Sequence, residues 1–296
     1  MSMVESSGHG GIIIGHKDAL KVLDCVFCGH AHVYPLPNGT ENFYKNDLFY
    51  SEYSPSGWLD KELCEYEDGL WDTAYKYQAE VLGNHGFLVD VGAGLGTFVY
   101  YWLDGNPELA CYGFGIEPSS QARQKSPCPG FMYDIDEGLA ILNRWDIILT
   151  NKSIRMALVL EHIPHPKEFL SDYTKYMRPG DKIMIIVPND FSPLQKRVGG
   201  NWFISPVHCN YFTPSSLAGV LESLGLKIVH QSATFPMELF ILMGFDYRGN
   251  DVLGQKVHKF RMAFEKIFGT TAFKIYKLLF DKYGWGREII MVAEKQ

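Results

Sequence analysis

Leu88-Val89-Asp90-Val91-Gly92-Ala93-Gly94-Leu95-Gly96-Thr97 is the stretch on which the reading of this chain turns. The apolar run Phe87–Val91 reads as a buried strand, and Gly96–Leu103 reads as a helix opening straight from the glycines. Glycine lets backbone approach a ligand because no Cβ intervenes. The first turn of the helix adds N–H groups without helical partners. A dinucleotide fingerprint places glycines as G-x-G-x-x-G, so that a pyrophosphate rests on the helix end. Here the order is G-x-G-x-G, and Thr97 holds the sixth position. Asp90 stands just before the loop, and its charge suits a ligand carrying an ammonium better than one carrying two phosphates. An NAD-dependent oxidoreductase would call for glycine at position 97 and no Asp before the loop, so that reading is the weaker one.

Working outward, short apolar runs alternate with amphipathic segments. Cys111–Ile116, Gly130–Tyr133, Trp145–Leu149, Lys182–Val187 and Leu226–His230 read as the second to sixth strands, and Glu288–Ala293 as the last. Pro166–Met177 is a helix closed by Arg178-Pro179-Gly180, and Thr213 caps another that runs to Leu224. Such alternation predicts an α/β three-layer sandwich around a mostly parallel sheet. Gly113-Phe114-Gly115-Ile116-Glu117 ends the second strand in a carboxylate, which can accept two hydrogen bonds from ribose hydroxyls. Glycine turn, Asp90 and Glu117 together describe a pocket for adenosine joined to an amino acid.

The bulk numbers narrow the class. With 296 residues, 46% of them hydrophobic, the chain can build one large α/β domain with additions. A net charge of -7 and the absence of a Lys/Arg run argue against a nucleic-acid partner. No apolar stretch nears the ~20 residues of a membrane helix, and the start lacks the pattern of a secretory signal. Six cysteines fit reduced thiols and a cytoplasmic location better than a disulfide framework. Residues 1–24 show no clear organisation, and 25–60 read as irregular. Trp58–Leu82 reads as one or two helices, and 251–283 as helical.

These residues resemble the class I S-adenosylmethionine-dependent methyltransferases. VDVGAGLG followed by GIEPSS is similar to their cofactor loop and second strand. VLEHIPHPKEFL at 159–170, YMRPGDKIMIIVPN at 176–189 and HCNYFTPSSLAGVLESLG at 208–225 are similar to later segments. The last of these resembles a branch acting on sugars, lipids and polyketides. The resemblance implies a seven-stranded sheet whose last strand is antiparallel. It divides the chain into an N-terminal irregular or helical lid over 1–80 and a methyltransferase domain over 81–296 with a helical insertion at about 234–283. S-adenosyl-L-methionine is the implied cofactor. Asp90, Gly92, Gly94 and Gly96 would line its methionine, Glu117 its ribose, and Asp134 and Ile135 its adenine, with Asp136 competing for the place of Asp134. Asn151–Val159 looks longer than the family's usual link, so Asn151, Met156 or Ala157 would face the sulfonium, and Asn151 is taken first. The implied acceptor is a small molecule, of sugar or natural-product type or linked to a glycan or lipid. A fold that keeps the cofactor without catalysis is the alternative.

Methyl transfer needs a general base only when the acceptor must lose a proton. His162, after the fourth strand, and His208 and Tyr211, after the fifth, fall on the sheet edge where open α/β folds bind ligands. They are the catalytic candidates. Cys25-x-x-Cys28-Gly29-His30-x-His32 could hold a tetrahedral zinc. Some methyltransferases of natural-product sugars carry an N-terminal zinc module beginning with Cys-x-x-Cys. Those use a second Cys pair, none follows here, and Cys64 stands alone. His30 and His32 are also close together for joint ligation with both cysteines. The cluster therefore reads as a turn with free thiols, and no metal is expected. The aromatic-rich 38–78 would form a lid over the cofactor. Phe260, Phe264, Ile267, Phe268 and Phe273 form a stripe suited to core or homodimer packing.

Overall fold

The chain opens with strands where its sequence showed no organisation. In the computed structural model, which describes residues 3–6, 8–37, 47, 50, 57–83, 86–104, 112–145, 151–199, 201 and 203–296, β1 (Met3–Ser6), β2 (His9–Lys17), β3 (Leu20–Cys25) and β4 (Ala31–Tyr34) form an antiparallel meander. Asp18 turns β2 into β3 with φ 52°, a left-handed conformation that Asp tolerates. The alternation of apolar and polar residues is blurred in β2, whose register against β3 shifts between Ile13 and Gly15. That irregularity hides the strand from a period-2 reading.

The cofactor-type core follows. Helices α1 (Trp58–Glu67) and α2 (Asp72–Leu82) precede β5 (Phe87–Val91), α3 (Thr97–Asp104), β6 (Gly113–Ile116), α4 (Ser120–Lys125), β7 (Met132–Tyr133) and α5 (Ile135–Trp145). Then come β8 (Lys152–Ala157), α6 (Pro166–Thr174), β9 (Lys182–Pro188), α7 (Pro193–Val198), β10 (Asn210–Tyr211), α8 (Pro214–Glu222) and β11 (Leu226–Ala233). Short α9 (Glu238–Leu242), paired helices α10 (Asp251–Phe268) and α11 (Thr271–Tyr283), and β12 (Glu288–Lys295) close the chain. Among the described residues, seven strands lie in the order β11-β12-β9-β8-β5-β6-β7, and β12 runs antiparallel to both neighbours. The expected sheet is thus present. Strand β10 leaves it to pair with β4, completing a separate five-stranded sheet.

The fourth strand is not where the apolar run suggested. Trp145 ends α5, residues 146–150 lie outside the described set, and the strand is Lys152–Ala157. What looked like an overlong link is the strand itself. The third strand is also shorter than read, because Pro129–Phe131 form a 3-10 turn ahead of Met132.

Both faces of the large sheet are covered, so its central strands are buried on both sides. Phe87, Val89 and Val91 on β5, Ile154 and Met156 on β8, and Ile185 on β9 meet Leu142, Leu170 and Leu217 from α5, α6 and α8. On the other face Leu88 and Met184 meet Ala79, Phe98 and Phe273 from α2, α3 and α11. The apolar stripe read on the C-terminal helices divides: Phe273 is buried, while Phe260, Ile267 and Phe268 are exposed. Among the described residues no helix is long and apolar enough to cross a membrane.

Candidate active site

The glycine loop crosses the C-terminal edge of the sheet between β5 and β6. Gly92, Gly94 and Gly96 all take left-handed φ, at 69°, 55° and 70°. A Cβ on Gly92 would strike Val159 Cγ2 at 2.4 Å, and one on Gly96 would strike Met132 Sδ at 2.4 Å. These two glycines are therefore needed for packing. Gly94 differs: among the described residues a Cβ there would meet only the Tyr50 hydroxyl, at 3.9 Å, so its backbone is not packed against them. Residue 50, like Asp47, whose carboxylate accepts from Ser120 Oγ at 2.9 Å, belongs to the expected lid and stands at the mouth of this crevice. Leu59 of α1 packs with Leu95 and Ala122 over the same loop. Residues 38–46, 48–49 and 51–56 of the lid lie outside the described set.

Glu117 sits across from Gly94. Its carboxylate accepts the Gly94 N–H at 2.8 Å and the Ser119 N–H at 2.9 Å. Ser119 also caps α4, so one short turn both starts a helix and aims the carboxylate. The carboxylate is only 5% exposed, and burial pushes its pKa up to about 7 against the opposing pull of the two N–H groups. Its proton uptake therefore falls at neutral pH.

Asp90 is placed differently from the sequence expectation. It points to the face of the sheet covered by α2 and α3 and is fully buried. In the register of β5 against β8, Asp90 is the partner of Arg155, whose guanidinium donates to both carboxylate oxygens at 2.9 and 3.0 Å. Arg155 also donates to Gln78 Oε1 at 2.9 Å and lies 4.2 Å from the Phe98 ring centre. The negative charge offered to an ammonium is already neutralised.

The sequence reading missed two charged residues here, Arg155 itself and Glu62 on α1: burial raises the pKa of Glu62, which feels the charge of Arg155 and in turn acts on Glu117. A carboxylate on a helix ahead of the glycine loop carries no local signature, so only the tertiary structure reveals it.

Asp134 caps α5, its carboxylate accepting the Glu137 N–H at 2.9 Å while Glu137 reaches back to the Asp134 N–H. Ile135 packs on the core beside it, and Asp136 is exposed. Asn151 must be corrected. It precedes β8, at the edge opposite the glycine loop, is exposed, and gives its carbonyl to the Phe87 N–H. Met156 is buried in the core, which leaves Ala157 and the exposed Leu158, at φ 57°, at the crevice end of the strand.

His162 and His208 do come together, with ring centres 4.9 Å apart. His162 donates from Nδ1 to the Val207 carbonyl at 2.8 Å. Burial, then the neighbouring His208, holds His162 down to about 3; burial, then Arg287, holds His208 down to about 4. Both imidazoles are neutral at pH 7. His208 Nδ1 is buried without a hydrogen-bond partner among the described residues and lies 3.9 Å from Asp190. Tyr211 is buried in the core of the smaller sheet, its ring centre 6.4 Å from that of His208, and its hydroxyl accepts the Ser205 N–H.

A glycine loop and a buried carboxylate at the C-terminal edge of a seven-stranded sheet place the chain in the Rossmann-like class of folds. The sequence profile described as "Methyltransferase domain" matches residues 64–231, more than half of the chain. The chain belongs to that family and is an S-adenosylmethionine-dependent methyltransferase. No curated protein sequence matches it. Among solved structures it is similar to a SAM-dependent methyltransferase from Archaeoglobus fulgidus, at 18% identity over 71% of this chain and 86% of that one, with a TM-score of 0.46. A methyltransferase from Mesorhizobium loti shows 13% identity, 74% and 96% coverage and a TM-score of 0.44. The plantazolicin methyltransferase BamL, in complex with a triazolic desmethylPZN analog and SAH, shows 13% identity, 86% and 96% coverage and a TM-score of 0.47.

Proposed function

We propose that this enzyme methylates a small-molecule acceptor, free or carried on a glycan or lipid, in the space between the glycine loop and the turn bearing His162 and His208. The observation that carries the reading is the Gly94–Glu117 pair: a backbone not packed against the described residues, beside a buried carboxylate held by two N–H groups. When bound, S-adenosylmethionine supplies an electrophilic methyl group on a sulfonium. Glu117 would accept hydrogen bonds from its ribose. Glu62 and Arg155 would face its amino-acid end, in the role first read for Asp90. Asp134 and Ile135 would flank the adenine. In-line displacement requires alignment and exclusion of water. Tyr50 and α1 support that role by their place over the loop.

His208 is the candidate proton acceptor. Its Nδ1 is a buried lone pair or N–H with no described group to hold it, and a polar group so placed has a cost unless a ligand pairs it. Calorimetric titration with S-adenosylhomocysteine is expected to give one site, and NAD none. His208→Ala is expected to leave that binding unchanged and to lower turnover by about 100-fold or more against a responsive acceptor, the usual range for loss of a general base. Equal loss of binding and turnover would make His208 structural. No signal with S-adenosylhomocysteine would remove the whole reading.

A further inference from the structure

We propose that the N-terminal sheet holds a structural zinc ion on Cys25, Cys28, His32 and His9. One donor atom from each of these four side chains lies within 4.8 Å of every other. Cys28 Sγ stands 3.5 Å and Cys25 Sγ 3.9 Å from His9 Nδ1. Tetrahedral zinc, with bonds of roughly 2.0–2.3 Å, sets its ligand atoms about 3.3–3.8 Å apart. The cluster is therefore already near the spacing the ion imposes.

Its orientation is built as well. His32 donates from Nδ1 to the Val33 carbonyl at 2.7 Å, which fixes the tautomer and leaves a lone pair on Nε2. That Nε2 is buried with no hydrogen-bond partner among the described residues, on a residue 1% exposed. An unpaired imidazole nitrogen aimed at two sulfurs lacks one thing, a cation. The Cys25–Cys28 turn has the form of a metal-binding knuckle: the Gly29 N–H donates to the Cys25 carbonyl at 3.0 Å, and Gly29 takes φ 74°. Backbone N–H groups of Gly10 and Cys28 also donate to the Cys25 sulfur. Two sulfurs and two imidazoles gathered this closely form a soft donor set that suits a zinc ion.

The ligand set differs from the one legible in the local motif. His30 turns away, bonding Asn210 Oδ1 at 3.0 Å and stacking on Phe212. His9, sixteen positions before Cys25, replaces it because β2 pairs with β3 and brings its first residue beside the knuckle. The ion would bind three strands together. Through β4 and β10 it would steady Asn210, which donates to the Leu160 and Ile163 carbonyls on either side of His162.

Protein purified without added metal is expected to carry about one zinc per chain by elemental analysis, since thiolate-rich structural sites retain the ion. After removal and replacement by Co2+, the visible spectrum is expected to show tetrahedral ligand-field bands with thiolate charge transfer. His9→Asn and Cys25→Ser should each abolish those bands, and His30→Asn should keep them. Should Cys25→Ser not fold, His9→Asn alone decides the ligand set, and wild-type stoichiometry decides the site. Zinc near zero with no Co2+ bands, recovery of a Cys25–Cys28 disulfide, or loss on His30→Asn with retention on His9→Asn would overturn the proposal. Titration with S-adenosylhomocysteine on the same samples reads the cofactor site independently.

Discussion

Arg155→Met is expected to destabilise the protein by about 3–5 kcal/mol, the usual cost of removing one partner from a buried ion pair. Asp90 has no access to solvent, so the carboxylate left behind cannot be hydrated. The other groups that Arg155 touches there, Gln78 and the ring of Phe98, carry no positive charge that could take its place. The orphaned carboxyl should then ionise only well above its ordinary pKa. A carboxyl whose pKa is higher folded than unfolded favours folding less as pH rises past the unfolded value, so the deficit of Arg155→Met should be smallest in mild acid and grow toward neutrality. Urea titrations at several pH values read both the size and the trend. The double variant Asp90→Leu, Arg155→Met removes both charges and should recover most of the loss. A single variant as stable as wild type at pH 7 would mean that the pair carries no such weight.

That pair also shows where the sequence was legible and where it was not. The glycine loop, β5 and Glu117 were readable because their chemistry is contiguous: a strand, its turn and the end of the next strand, within thirty residues. Strand β8 was misplaced because Ser153 and Arg155 make one of its faces polar and Lys152 opens the other. The two cations are buried opposite distant carboxylates. Lys152 Nζ lies 3.4 Å from Asp181, and Arg155 pairs with Asp90, 65 positions away. No window along the chain contains both partners. The apolar run before β8 imitated the strand that periodicity expects. Asn151 inherited that shift and so fell on the wrong edge of the sheet. His162 and His208, both read from their place after a β-strand, lie side by side. Tyr211, read by the same rule, lies in β10, which pairs with β4 in the smaller sheet. That sheet was itself hidden by the irregular alternation in β2.

Affinity for S-adenosylhomocysteine is expected to rise about tenfold between pH 6 and pH 8, the factor set by deprotonating a single group with pKa near 7 that binds only as its anion. Glu117 is that group. Both of its oxygens already accept backbone N–H bonds, so a ribose hydroxyl must donate to a remaining lone pair, which the ionised form offers and a proton would occupy. The same burial makes the ligand-free protein less stable as pH climbs through that range, because the anion is poorly solvated until a hydroxyl pairs it. Ligand binding and folding stability should therefore move in opposite directions with pH. Glu117→Gln keeps the shape but neither the charge nor the second acceptor. It should weaken binding by roughly 10–100-fold, the worth of a hydrogen bond to a charged group, and flatten the pH dependence. Calorimetry across the range separates the two effects. The histidines do not confound it, because His162 and His208 titrate near 3 and 4 and stay neutral throughout. A pH profile that persists in Glu117→Gln would place the titrating group elsewhere in the crevice, with Glu62 the next to test.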